Sequence, residues 1–255
     1  MQDIAEAFTL AVALVFSGDP DLWEIVALSL RVSLTATGLA CLIGFPFGAL
    51  VAIARFRGRG VLLVVMNALM GLPPVVVGLL VYLHLSRSGP LGFLGLLYTP
   101  SAMIIAQTIL IAPIVAALSR QVLEDLHGEY AEQFRSLCLT RRQTAQALLW
   151  DARYSLMTVA LAGFGRAVAE VGAVIIVGGN IDHLTRVMTT AIALETSKGD
   201  LPLALALGIV LLVLALGVNA GVQALRIGAA RPHEFVHVHT NQVLGYFTHG
   251  KFLQH

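Results

Sequence analysis

The stretch GRAVAEVGAVIIVGGN, residues 165–180, decides the fold. Small and aliphatic residues dominate it, as in a segment surrounded by lipid, yet Arg166 and Glu170 stand inside it. A charge at bilayer depth is costly and marks either a transport path or a paired structural site. Their spacing of four places them on one face of a helix, where each lowers the cost of burying the other. Gly165, Ala169 and Ala173 repeat at the same spacing, and Gly172 and Gly179 form a second row of small residues. That pattern lets a neighbouring helix approach closely. An anion path fits these residues: Arg166 lowers the barrier to a desolvating oxyanion, and Glu170 keeps the site from becoming a trap. A structural ion pair that locks helix packing fits them too.

At the end of the stretch, Gly178, Gly179 and Asn180 are residue types that tolerate left-handed backbone and present bare amides, to a ligand or simply to solvent at a helix C-terminus. In the segment 182–200, Leu184, Val187, Met188, Ala191, Ile192 and Leu194 fall on one face, predicting a short amphipathic helix on the outer surface. Arg186, Thr189 and Thr190 are placed there to meet an oxyanion, with packing as the alternative for the two threonines.

Outward from this stretch, the composition is that of a membrane protein. Of the 255 residues 57% are hydrophobic and 12% charged, against about a quarter charged in a soluble domain. Sixteen Lys and Arg oppose fifteen Asp and Glu, leaving no single-signed field to attract nucleic acid. Cys41 and Cys138 form neither a disulfide framework nor a metal-ligand cluster, so no metal or cofactor is expected. The N-terminal ten residues contain acids and no Lys or Arg, unlike a cleavable signal, and read as mature sequence.

A helix needs roughly 20 apolar residues to cross the hydrocarbon core. Five stretches qualify, 25–54, 61–85, 101–119, 154–180 and 201–225, predicting an all-α polytopic membrane protein. Kinks are expected at Pro46, at Pro73 and Pro74, and at Pro113. Residues 4–15 are too short to cross, so 1–22 reads as an interfacial segment, and 89–100 as a short outer hairpin or re-entrant piece. Basic residues cluster in alternate loops: Arg55, Arg57 and Arg59; then Arg120, Arg135, Arg141, Arg142 and Arg153; then Arg226 and Arg231. Cytoplasmic loops carry that excess, which puts the N-terminus outside and the C-terminus inside, as an odd number of spans requires. The segment 120–153 is polar and rich in helix formers, a candidate docking element for a cytosolic partner.

At this segment and the span after it, the chain resembles the membrane subunits of binding-protein-dependent ABC importers, the type I permeases, and most closely the tungstate permease group beside the molybdate and sulfate permeases. The likeness rests on residues 67–92, on GRAVAEVGAVIIVGGNI and on TRVMTTAIALETSKGD, and covers about 23–225. It implies a homodimer lining one central pathway in the cytoplasmic membrane of a bacterium or archaeon, a separate cytosolic ABC ATPase and an extracytoplasmic tungstate-binding protein. It also implies that Glu132, Gln133, Leu137, Cys138, Arg141 and Arg142 form the helix–turn–helix that docks to the ATPase. Here Phe134 stands where a small Ala is usual, Cys138 where the turn Gly is usual, and Trp150 and Tyr154 where prolines commonly follow. Cys138 cannot reach positive φ as cheaply as Gly, so the turn either adopts a different geometry or carries strain of about 1 kcal/mol or more.

No Gly-rich loop with a Lys that cradles ATP occurs in the chain, so it is read as a transport subunit and not an enzyme. The rival reading is a proton-coupled secondary carrier with Glu170 as its proton site. The tail 226–255 holds His233, His237, His239, His249 and His255; a metal-sensing tail is the alternative, but with no carboxylate or thiol cluster beside these histidines it reads as a solvated or weakly ordered cytoplasmic extension.

Overall fold

The computed structural model describes residues 4–54 and 56–248, with side chains placed for 6–54 and 56–224. Among the described residues the regular elements are helices. α1 (Ile4–Ser17) precedes α2 (Pro20–Ile53), and then come α3 (Arg59–Met70), α4 (Pro74–Leu85) and a 3-10 turn at Gly92–Leu94. α5 (Pro100–Glu129), α6 (Ala131–Ser136) and α7 (Arg141–Asp151) lead to α8 (Arg153–Val168), α9 (Gly172–Gly178), α10 (Met188–Lys198) and α11 (Leu201–Thr248). Of the expected tail, the last residues, 249–255, lie outside the described residues, as do the side chains of its histidines.

Three helices are long and apolar enough to cross a membrane, Pro20–Ile53, Pro100–Glu129 and Leu201–Ala224, and the number is five if each of two bent pairs is one span. α2 starts five residues before the expected span, because Pro20 at its first position has φ ready for a helix and the Asp19 carboxylate accepts the Leu22 N–H at 3.0 Å. α5 runs beyond the expected 101–119 to Glu129, and its last turns pack through Leu123 against Ala49 and Ala52 of α2 and Leu148 of α7. Pro46 and Pro113 sit inside unbroken helices, and the pair Pro73 and Pro74 separates α3 from α4 by 94°. α1 is short, as expected, and packs on α11 with Ala7 and Ala11 fully buried.

α2 and α5 form the centre of the bundle. They meet where side chains vanish: a Cβ on Gly44 would stand 2.8 Å from Val115 Cγ1, and one on Gly48 2.8 Å from the Ala116 carbonyl. Ser119 donates its hydroxyl across this contact to the Gly44 carbonyl at 3.3 Å. Close backbone approach and such hydrogen bonds are what hold helices together where lipid removes the hydrophobic drive. The same device joins α4 to α9, since a Cβ on Gly78 would lie 2.8 Å from Ala173 Cα. Around that contact Val77, Val81, Met103, Ala106, Val174 and Val177 close a buried cluster.

The fourth expected span is where the structure departs most from the sequence reading. Residues 154–180 are not one helix: α8 stops at Val168, α9 starts at Gly172, and the two differ in direction by 59°. The row Gly165, Ala169, Ala173 therefore does not form one face. Gly165 lies by Val218 of α11, Ala169 is exposed, and Ala173 is buried against α4.

Gly78→Val is expected to lower the melting stability of the purified protein by about 1–3 kcal/mol through overpacking. Gly38→Ala, in α2 where a Cβ would meet nothing within 4 Å, is expected to be neutral or to raise stability by about 0.5–1 kcal/mol. Thermal unfolding in detergent compares the two.

Candidate functional site

The break between α8 and α9 holds both charges of the quoted stretch. Arg166 is in the last turn of α8, and Glu170 lies in the unwound link. Arg166 Nη1 reaches Glu170 Oε2 at 2.6 Å, with the Arg side chain 39% exposed and the Glu side chain 4%. The pairing expected from a continuous helix thus forms across the end of a helix. Glu170 spends its other oxygen on local structure, Oε1 accepting the Ala173 N–H of α9 at 3.2 Å. A buried carboxylate is tolerable only when its lone pairs are so engaged.

Breaking a helix in an apolar bundle frees carbonyls that must find donors. The fold supplies them from two other elements. Gln107 of α5 donates Nε2 to the Ala167 carbonyl at 3.1 Å, and Thr189 of α10 donates its hydroxyl to the Glu170 carbonyl at 2.8 Å. Gln107 is buried, and its Oε1 has no partner among the described residues. The sequence reading missed Gln107. The signal was there, a lone amide amid the apolar residues of 101–119.

Gly172 opens α9 with its Cα close to α4: a Cβ there would be 2.9 Å from Val75 Cγ2 and 3.7 Å from Glu170 Oε1. At the far end of α9, Gly179 and Asn180 both adopt left-handed backbone, φ 73° and 52°, as their types allow. Asn180 Nδ2 donates to the Thr190 carbonyl at 3.4 Å. Thr190 is fully buried, and its hydroxyl closes the start of α10, accepting the Val187 N–H at 3.2 Å. Arg166, Glu170, Gly172 and Thr189 therefore gather at the break, while Asn180 and Thr190 meet at the opposite end of α9. Arg186 joins neither group: it pairs with Asp182 at 2.7 Å. Both threonine hydroxyls are committed to backbone, which favours their packing role. Two further hydroxyls hold this region. Met188 N–H donates to Ser29 of α2 at 2.7 Å, and Thr185 donates to the Gly178 carbonyl at 2.6 Å.

The second expected group lies on α6, α7 and their turn. Glu132, Gln133, Leu137, Cys138, Arg141 and Arg142 are all exposed there. Thr140 starts α7 with a capping box, accepting the Gln143 N–H at 3.4 Å while Gln143 Oε1 accepts the Thr140 N–H at 2.9 Å. Phe134, the bulky departure, faces inward, stacked on His127 at 6.1 Å and edge-on to Tyr130 at 5.8 Å between ring centres. It fastens the short α6 to the end of α5. Cys138 has φ 49°, so it occupies the left-handed conformation that a glycine adopts without strain. Arg153 lies over the rings of Trp150 and Tyr154, at 5.3 and 4.7 Å.

Several apolar helices, one broken within the bundle around an ion pair whose carboxylate is buried, and an exposed polar helix–turn–helix at one end have the makings of a membrane transport domain. Residues 44–226 match the family described as binding-protein-dependent transport system inner membrane component, and the chain belongs to that family. It is therefore a multi-pass inner-membrane permease subunit of an ABC transporter. It is 42% identical over 226 residues to the tungstate uptake system permease protein TupB of Peptoclostridium acidaminophilum, covering 89% of this chain and 99% of that one. It is 43% identical over 202 residues to a probable anion ABC transporter permease protein of Haloferax volcanii, covering 77% and 87%. The sulfate transport system permease protein CysT of Escherichia coli is 30% identical over 210 residues, 76% of each chain.

Thr189→Val is expected to leave the Glu170 carbonyl without a donor and to cost about 1–3 kcal/mol of stability, whereas Thr189→Ser keeps the bond and most of the stability. Melting curves of the two variants against the parent decide it.

Proposed function

We propose that the chain is the permease subunit of an ATP-driven tungstate importer, acting as a homodimer whose two copies line one central path. A cytosolic ABC ATPase supplies energy, and an extracytoplasmic tungstate-binding protein delivers the anion. The tungstate assignment rests on the likeness to the tungstate uptake permease across nearly the whole of both chains. The alternative substrates are molybdate and sulfate, tetrahedral dianions of the same class.

The observation that carries the transport reading is the asymmetry of the ion pair. Glu170 is buried and fully engaged, while Arg166 keeps over a third of its side-chain surface open and spends only Nη1 on the carboxylate. A guanidinium has five N–H donors. Those left over are free to receive an oxyanion, and the fixed negative partner keeps the local charge near zero, so that the anion leaves again. The domain is read as 23–225, with N-terminus outside and C-terminus in the cytoplasm, where the Arg-rich loops accumulate. In that orientation the helix–turn–helix of α6 and α7 faces the ATPase. Glu132, Gln133, Leu137, Arg141 and Arg142 present its contact surface, and Cys138 sets its turn.

The test is uptake of labelled tungstate by proteoliposomes containing permease, ATPase and binding protein, competed with molybdate and sulfate. Uptake is expected to require ATP and all three components; uptake by the permease alone down a proton gradient would establish the secondary carrier instead. Arg166→Lys, which keeps the cation that Glu170 needs but gives up the spare guanidinium donors, is expected to reduce uptake about ten- to hundredfold, the loss of one charge-assisted hydrogen bond, while the permease–ATPase complex still purifies intact. Cys138→Gly is expected to relieve left-handed strain and stabilise the protein by about 0.5–1 kcal/mol without loss of ATPase binding. Pull-down and melting temperature read both effects.

A further inference from the structure

The sequence offered no metal-ligand cluster, because the residues that the fold assembles at one corner are far apart in the chain. Asp21 and Glu24 lie three apart in the first turns of α2 and so share a face. His183 follows α9, and its Nδ1 lies 2.9 Å from Glu24 Oε2. One ligand atom from each of the three lies within 4.8 Å of the other two, and all three residues are exposed. They line a recess of about 100 Å³ together with Asp182 and Arg186.

We propose that Asp21, Glu24 and His183 form a divalent-cation site of the zinc type, which clamps the segment between α9 and α10 onto the start of α2. The donor set is one imidazole nitrogen with carboxylate oxygens, which zinc accepts at about 2.0–2.2 Å, so that ligand atoms around it stand about 3.4 Å apart. Exposed side chains close from the observed spacing to that one by small rotamer shifts. Calcium and magnesium take six or more oxygens, and the imidazole argues against them. With three protein ligands, one tetrahedral position remains for water.

Both backbones that carry the ligands are fixed in advance. Asp19 and Pro20 set the first turn of α2. The His183 segment is held by its own bonds: the Thr185 and Arg186 N–H groups donate to the Ile181 carbonyl at 2.9 and 3.0 Å, and Ile181 N–H donates to Thr185 Oγ1 at 2.9 Å. The electrostatics also suit a cation. Asp21, Glu24 and Asp182 face the recess, and among the described residues the fixed positive charge lining it, Arg186, is tied to Asp182. This proposal stands apart from the transport reading, since cation binding is measured without substrate or ATPase.

Zinc titration of the full-length protein in lipid nanodiscs tests it. The tail histidines His233, His237, His239, His249 and His255 are changed to Ala in every sample, so that they do not compete for zinc. This background is expected to bind one zinc ion and to show slower amide exchange across 180–187 when zinc is added. His183→Ala, an exposed change that leaves the fold intact, is expected to weaken binding roughly tenfold or more and to abolish the protection, and Glu24→Gln to weaken it similarly. The proposal is overturned if the background binds no zinc, or if His183→Ala leaves both affinity and protection unchanged.

Discussion

A polypeptide interrupted inside an apolar bundle must find a partner for each backbone group that the interruption frees, since no water is there to take them. The link at 169–171 meets this demand with side chains from three directions. Glu170 caps the following helix, Gln107 takes the Ala167 carbonyl, and Thr189 takes the Glu170 carbonyl. Because Glu170 is buried, it in turn requires a cation, which Arg166 supplies from the preceding turn. The ion pair and the broken helix are thus one structure. Without the break the carboxylate would have no helix start to cap, and without the carboxylate the break would leave an amide unsatisfied.

This constraint explains the placement of the small residues. α9 must lie close to α4 for its short length to be held, and Gly78 and Gly172 remove the atoms that would keep the two apart. α2 and α5 use Gly44 and Gly48 in the same way to form the core that supports the break. The polar helix–turn–helix lies at the end of α5, so the helix that contributes Gln107 to the break also holds α6 through Phe134 and its stacked neighbours.

Much of this was legible in the sequence. Hydropathy located the apolar segments and the proline pair marked the sharpest turn, because both depend on local chemistry alone. The pairing of Arg166 with Glu170 was legible too, although for a continuous helix. The break itself was not: no proline lies between Val168 and Gly172, and the residues that stabilise the unwound backbone, Gln107 and Thr189, come from distant parts of the chain. Pro46 and Pro113 lie within continuous helices, so a proline in the sequence does not by itself mark where a span breaks. The roles of Thr189 and Thr190 depended on which backbone atoms stood near them, and only the folded chain brings those atoms together.

The contact of Gly78 with Ala173 has a mechanical corollary. Where two helices meet backbone to backbone inside a ring of packed valines, a tilt of one presses directly on the other. α4 and α9 form one stiff plate, with elbows at its two chain entries, the Pro73 bend and the unwound link that bears Glu170. Rocking of that plate would stretch the Arg166 bridge on one swing and slacken it on the return, which gives the charged pair a geometry that changes with the posture of the whole domain.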